Sequence, residues 1–84
     1  MYWVYALKSQ VKNYIYVGMT NDLNRRIAEH NAGRGRATKP YLPYKMIYKR
    51  QFQTRIEARG HEVYLKSGIG KELLRNIVDA DSDS

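Results

Sequence analysis

An 84-residue chain with 43% apolar side chains makes one folded domain and has too little length for a second. Without cysteine it has no disulfide, thiolate nucleophile or cysteine-ligated zinc, and its apolar runs fall far short of the ~20 residues of a membrane span. Fifteen Lys and Arg against eight Asp and Glu give +7; because Asp79, Asp81 and Asp83 follow every basic residue, the chain up to Val78 sets fifteen cations against five acids, which with eight tyrosines is the footprint of a nucleic-acid-binding domain.

The opening MYWVYALKS lacks the basic lead, long apolar run and small-residue cleavage site of a secretory signal, so the expected location is intracellular, in the cytoplasm. Residues 2–8 are short and rich in β-formers and predict a strand. Ser9 to Asn13 form a polar turn, and residues 14–18 predict a second strand, antiparallel to the first across so short a connection. Strand alternation puts Trp3, Tyr5 and Leu7 on one face and pairs Tyr14 with Tyr16.

A helix follows, capped by Thr20, Asn21 or Asp22. Leu23, Ile27 and His30 fall at i, i+4 and i+7, a helical stripe, with Arg26 one turn before His30 on the side facing the sheet. Arg25 and Glu29 point outward, and Gly33 suits a left-handed stop. Residues 31–44 make a long connection in which Arg34, Arg36 and Lys39 lie among glycines, prolines and tyrosines, a mobile basic arm that can grip phosphates. Residues 45–52 predict the third strand.

Thr54-Arg55-Ile56-Glu57 is a capping box opening a second helix, expected to run to about Ser67 and stop at Gly68. Ala58, Glu62 and Leu65 place one carboxylate on an otherwise apolar stripe. Gly60 inside this helix costs about 1 kcal/mol relative to Ala with no local reason for it; close packing against the sheet would be one. Leu73, Leu74, Ile77 and Val78 predict a short last helix, and residues 79–84 an acidic disordered tail after a domain of residues 1–78. The expected fold is α+β, a three-stranded antiparallel sheet flanked by helices in the order ββαβαα.

The folded face would then hold Tyr5, Tyr16, Arg26, His30 and Glu62. Each has an ordinary explanation: a core tyrosine with a wet hydroxyl, a solvated cation, a helix-end histidine, an exposed glutamate. Singly, none identifies an enzyme. Together they resemble the GIY-YIG nuclease domain, in its small single-domain branch. Trp3-Val4-Tyr5 stands at the first signature and Tyr16-Val17-Gly18 at the second. The run from Tyr16 through Arg25-Arg26 to Glu29-His30-Asn31 matches the family's helix with its Arg and His. Thr38-Lys39-Pro40, Glu57-Ala58, Glu62 and Leu65-Lys66 match further on, so the resemblance covers residues 2 to about 75. The first triplet keeps only its tyrosine, and His61 stands where small members often carry Arg.

The resemblance implies metal-dependent endonucleolytic hydrolysis of DNA phosphodiesters. Such hydrolysis needs an activated water, charge relief at the phosphate and a stabilised leaving oxygen. Glu62 would hold one Mg²⁺ or Mn²⁺, and a single inner-face carboxylate argues against two metals. Arg26 would brace the phosphate oxygens, while Tyr5 or Tyr16, with His30 in support, would deprotonate or orient the water; Tyr5 is favoured as base and Tyr16 as its partner. The other reading is a non-catalytic nucleic-acid-binding module with the same basic face. A third, a protein-interaction adaptor, fits the charge poorly. Specificity would come from the 31–44 loop or from a protein partner, with no small-molecule cofactor and no membrane contact.

Overall fold

The computed structural model describes residues 1–35 and 39–82, and side chains through residue 80. Its elements are β1 (Tyr2–Ser9), β2 (Ile15–Thr20), α1 (Leu23–Asn31), a 3-10 turn at Lys39–Tyr41, β3 (Tyr44–Phe52), α2 (Arg55–Lys66) and α3 (Gly68–Ser82). The expected order ββαβαα is therefore observed. The strands form one antiparallel sheet in the order β2-β1-β3.

The middle strand β1 explains the rest. Val4, Tyr5, Ala6 and Leu7 are all buried, which requires cover on both faces of the sheet. Val4 and Ala6 pack with Val17 and with Ala58 and Leu65 of α2 and Leu74 of α3. Tyr5 and Leu7 point the other way and pack with Leu23 of α1. Two thin cores thus share one strand, an economical answer for a short chain. β1 pairs with β2 from Trp3↔Thr20 to Lys8↔Ile15, and with β3 from Tyr2↔Phe52 to Ser9↔Tyr44, with an irregularity between Ala6 and Leu7.

Local chemistry sets most helix ends. Asp22 caps α1 by accepting from the Arg25 amide at 3.2 Å. After α1, Gly33 has φ 76°, its amide reaches His30 O, and the Arg34 amide reaches Glu29 O. This is the paired-bond C-terminal motif for which glycine is preferred. Thr54 caps α2 by accepting from the Glu57 amide at 3.2 Å, and its hydroxyl donates to the Glu57 carboxylate at 2.9 Å.

Two expectations are corrected at the C-terminal end. Gly68 does not stop α2; Ser67 does, in an extended conformation, and Gly68 opens α3. The Ser67 hydroxyl donates to Tyr64 O at 2.6 Å and accepts from the Gly70 amide at 3.3 Å, so one side chain serves both helices. Gly70 is the glycine this corner requires, because a Cβ there would collide with the Tyr64 carbonyl and the Leu65 backbone. Helix α3 also continues through Ser82, beyond the expected Val78 boundary. Once Leu74 and Ile77 anchor the helix on the sheet, each added turn gains its backbone bonds without a new nucleation cost. Residues 83 and 84 lie outside the described residues. Among the described residues no helix is long and apolar enough to cross a membrane.

Candidate active site

Tyr5 lies in the middle of the sheet with no exposed surface, and its hydroxyl is 2.9 Å from Nε2 of His30, itself buried at the end of α1. Tyr16 comes from the neighbouring strand. Its ring centroid is 6.2 Å from that of Tyr5 and 4.9 Å from that of His30, edge to face with the imidazole. Arg26, one turn before His30, lies close enough to Tyr5 and Tyr16 for both to favour its charge, and it donates to Glu29 at 2.9 Å. Four of the five expected site residues therefore converge on the α1 face.

Gly18 makes the tyrosine pair possible. It is the cross-strand partner of Tyr5, and a Cβ there would sit 2.6 Å from Tyr5 Cζ and 2.9 Å from Tyr16 Cε1. Both values are below any tolerable contact, so the glycine of the Tyr16-Val17-Gly18 triplet is a seat for the Tyr5 ring. A signature glycine after a strand tyrosine was the available sequence signal; its partner across the strand was not legible.

Electrostatics fix the protonation states of this group. Burial pushes the Tyr5 phenol far above its ordinary value of 10.0, Tyr16 adds to the shift, and Arg26 pulls against it. Burial and then Arg26 lower His30 below 6.5, so its imidazole is neutral at pH 7 and Nε2 can accept from the Tyr5 hydroxyl. Burial opposes the charge on Arg26, but contacts with Tyr5, Glu29 and Tyr16 outweigh it and keep the guanidinium protonated. Behind His30, at 6.4 Å between ring centroids, burial raises the Tyr44 phenol to about 12.

Glu62 stands elsewhere, and here the single shared face expected from sequence is corrected. Helix α2 covers the Val4, Ala6 and Val17 side of the sheet, so Glu62 is buried there beside Ala58 and Leu65. Its Oε1 accepts from Arg59 at 2.6 Å and its Oε2 from Lys66 at 3.4 Å. The two sides meet at the free edge of β2, where one cavity is bordered by Tyr16 and by Lys66. No group of three or more His, Asp or Glu side chains is placed to hold a metal among the described residues. One carboxylate with waters and substrate phosphates is a donor set that Mg²⁺ accepts, so Glu62 fits that role chemically.

The basic arm is only partly as expected. Arg34 and Lys39 are exposed, and Arg36 lies outside the described residues. The segment around Lys39–Tyr41 is docked on the β1–β2 turn: Ser9 Oγ donates to Tyr41 O at 2.7 Å, and Tyr41 stacks on Tyr14 at 4.0 Å. His61 points to β3, its Nε2 2.7 Å from the Tyr48 hydroxyl.

The model of the GIY-YIG catalytic domain matches residues 1–73. A UPF0213 protein of Listeria monocytogenes is 44% identical over 84 residues, spanning 99% of this chain and 92% of that one. A UPF0213 protein of Streptococcus pneumoniae is 40% identical over 65 residues, 76% of this chain and 65% of the relative's length. The solution structure of a UPF0213 protein from Bacillus halodurans superposes with a TM-score of 0.55 at 31% identity, covering 92% of this chain and 85% of that one.

Proposed function

The chain belongs to the GIY-YIG family, a family of nucleases in general, and on that premise we propose that it is a DNA endonuclease using one divalent cation. The observation that carries the reading is the convergence of Tyr5, Tyr16, Arg26 and His30 on one face: two phenols packed on a buried neutral imidazole, with a guanidinium held beside them by Glu29.

Arg26 braces the non-bridging oxygens of the scissile phosphate; a charge-assisted contact from a guanidinium already oriented by Glu29 needs little reorganisation. Tyr16, half-buried at the sheet edge, takes or orients the attacking water. Tyr5 has no surface for water to reach, its hydroxyl is held by His30, and its phenol is shifted away from ionisation. This reading therefore moves the base from Tyr5 to Tyr16 and makes Tyr5 and His30 positioning residues. Glu62 would hold Mg²⁺ or Mn²⁺, which would relieve charge at the phosphate and at the leaving oxygen. Arg34, Arg36 and Lys39 remain the proposed phosphate contacts outside the centre.

A second reading is a binding module without catalysis. One observation favours it: both oxygens of Glu62 are already bonded to Arg59 and Lys66, as in a purely structural ion cluster. Incubation with a panel of branched and linear DNAs, with Mg²⁺ and with EDTA, separates the two. Strand cleavage that requires Mg²⁺ and is lost in Arg26→Ala supports the nuclease; binding without cleavage of any DNA in the panel supports the module.

A further inference from the structure

A cavity of about 410 Å³ runs along the outer edge of β2 between that strand and helices α2 and α3. Its floor is apolar, with Val17, Leu65 and Leu74 lining it. Its helix side carries Lys66, Lys71 and Arg75. Lys71 and Arg75 are exposed and lie one turn apart on α3, with Asp79 one turn beyond Arg75. Like charges at this spacing cost a few tenths of a kcal/mol in an isolated helix, so helix stability does not account for Lys71 beside Arg75. One end of the cavity is bordered by Tyr16, whose ring packs against His30 of the candidate centre.

We propose that this groove holds an unpaired nucleotide adjoining the scissile phosphate, its base and sugar over the apolar floor and its phosphates on Lys71 and Arg75. The inference rests on the nucleic-acid reading above and adds the strand state of the substrate. An apolar floor beside a cationic rim matches a nucleotide, which presents the same two surfaces. The volume is that of a small-ligand pocket, whereas a duplex needs a broad surface spanning two strands of phosphate. The substrate strand therefore leaves its partner at this point, and single-stranded, frayed or flapped DNA is favoured over blunt duplex.

The test is fluorescence anisotropy in EDTA, which removes turnover, with a labelled single-stranded oligonucleotide and a blunt duplex of equal length over a range of salt. In Lys71→Ala/Arg75→Ala, single-strand affinity should fall about tenfold and the log–log salt slope by about 1.4, at about 0.7 per phosphate on single strands. Duplex affinity should change less than about threefold. The Lys71→Gln/Arg75→Gln protein keeps polar stems on α3 and should show the same selective loss, with an unshifted thermal melt. Unchanged single-strand affinity and slope would overturn the groove. So would an equal loss on both DNAs, which marks a general field of positive charge. A wild-type protein that binds single strands through these residues yet cuts nothing would overturn the nuclease and keep the groove. One that binds neither DNA overturns both.

Discussion

Tyr5 and His30 form a pair whose removal has two readouts. Tyr5→Phe leaves a buried imidazole nitrogen without its 2.9 Å partner, so it should destabilise the fold by about 1–3 kcal/mol, read from urea midpoints. Tyr16→Phe should leave stability nearly unchanged and cut the Mg²⁺-dependent cleavage rate at least a hundredfold, the scale of general-base catalysis. Equal rate losses in both would return the base to Tyr5. The lowered His30 also gives a pH signature. In the unfolded chain a histidine titrates near 6.5, while in the fold it binds its proton only at lower pH. The unfolded state therefore binds more protons in that window, and stability is full above pH 6.5 and falls as pH drops toward the folded value. His61 is lowered too, by burial and Arg50, and adds to the same window. Denaturant midpoints measured from pH 7.5 to 5 should fall, and fall less in His30→Gln. A flat wild-type profile would contradict both assignments. Of these features, the residues themselves were legible in the sequence through their spacing. The Tyr5–His30 bond was not, because it joins residues 25 apart whose contact exists only once α1 lies on the sheet.

Helix α2 shows which local signals carry and which mislead. Its capping box is sound because the Thr54 hydroxyl and the Glu57 amide are three residues apart, and sequence spacing alone decides whether they meet. Gly60 is the opposite case. Close packing was the sequence-based reason for a glycine in mid-helix, yet a Cβ there would meet nothing within 4 Å. The position therefore carries glycine's backbone-entropy cost with no contact to require it. Gly60→Ala should stabilise the protein by about 0.5–1 kcal/mol, through the unfolded chain and not through any new contact. For a domain of this length the melting temperature should rise by roughly 4–8 °C per kcal/mol. An unchanged or lowered melt would mean the helix is already strained at that turn. The misplaced stop at Gly68 has a related cause: a glycine marks a break equally well from either side, and only the Ser67 bonds to Tyr64 O and the Gly70 amide assign it to the next helix.

At the scale of the whole molecule, periodicity identified the apolar side of α2 but could not say which face of the sheet that side would cover. That choice is tertiary, made by the run from β3 back over Val4 and Ala6, and it separates Glu62 from the four residues on the α1 face. Glu62→Gln is consequently the variant that tests whether the two sides act on one phosphate across the β2 edge. The substitution keeps the shape of the side chain and removes its charge. Arg59 and Lys66 are largely exposed, so the lost ion pairs should cost no more than about 1 kcal/mol. Removing a negative charge beside Lys66 makes the cavity more cationic, so DNA affinity in EDTA should hold or rise slightly. If the carboxylate holds the divalent cation, Mg²⁺-dependent cleavage should drop to background and stay there at tenfold higher Mg²⁺ or with Mn²⁺. Cleavage at the wild-type rate would leave Glu62 as a structural partner of Arg59 and Lys66, and the metal would have to be held by groups on the α1 face, where Asp22 and Glu29 flank the Arg26 side.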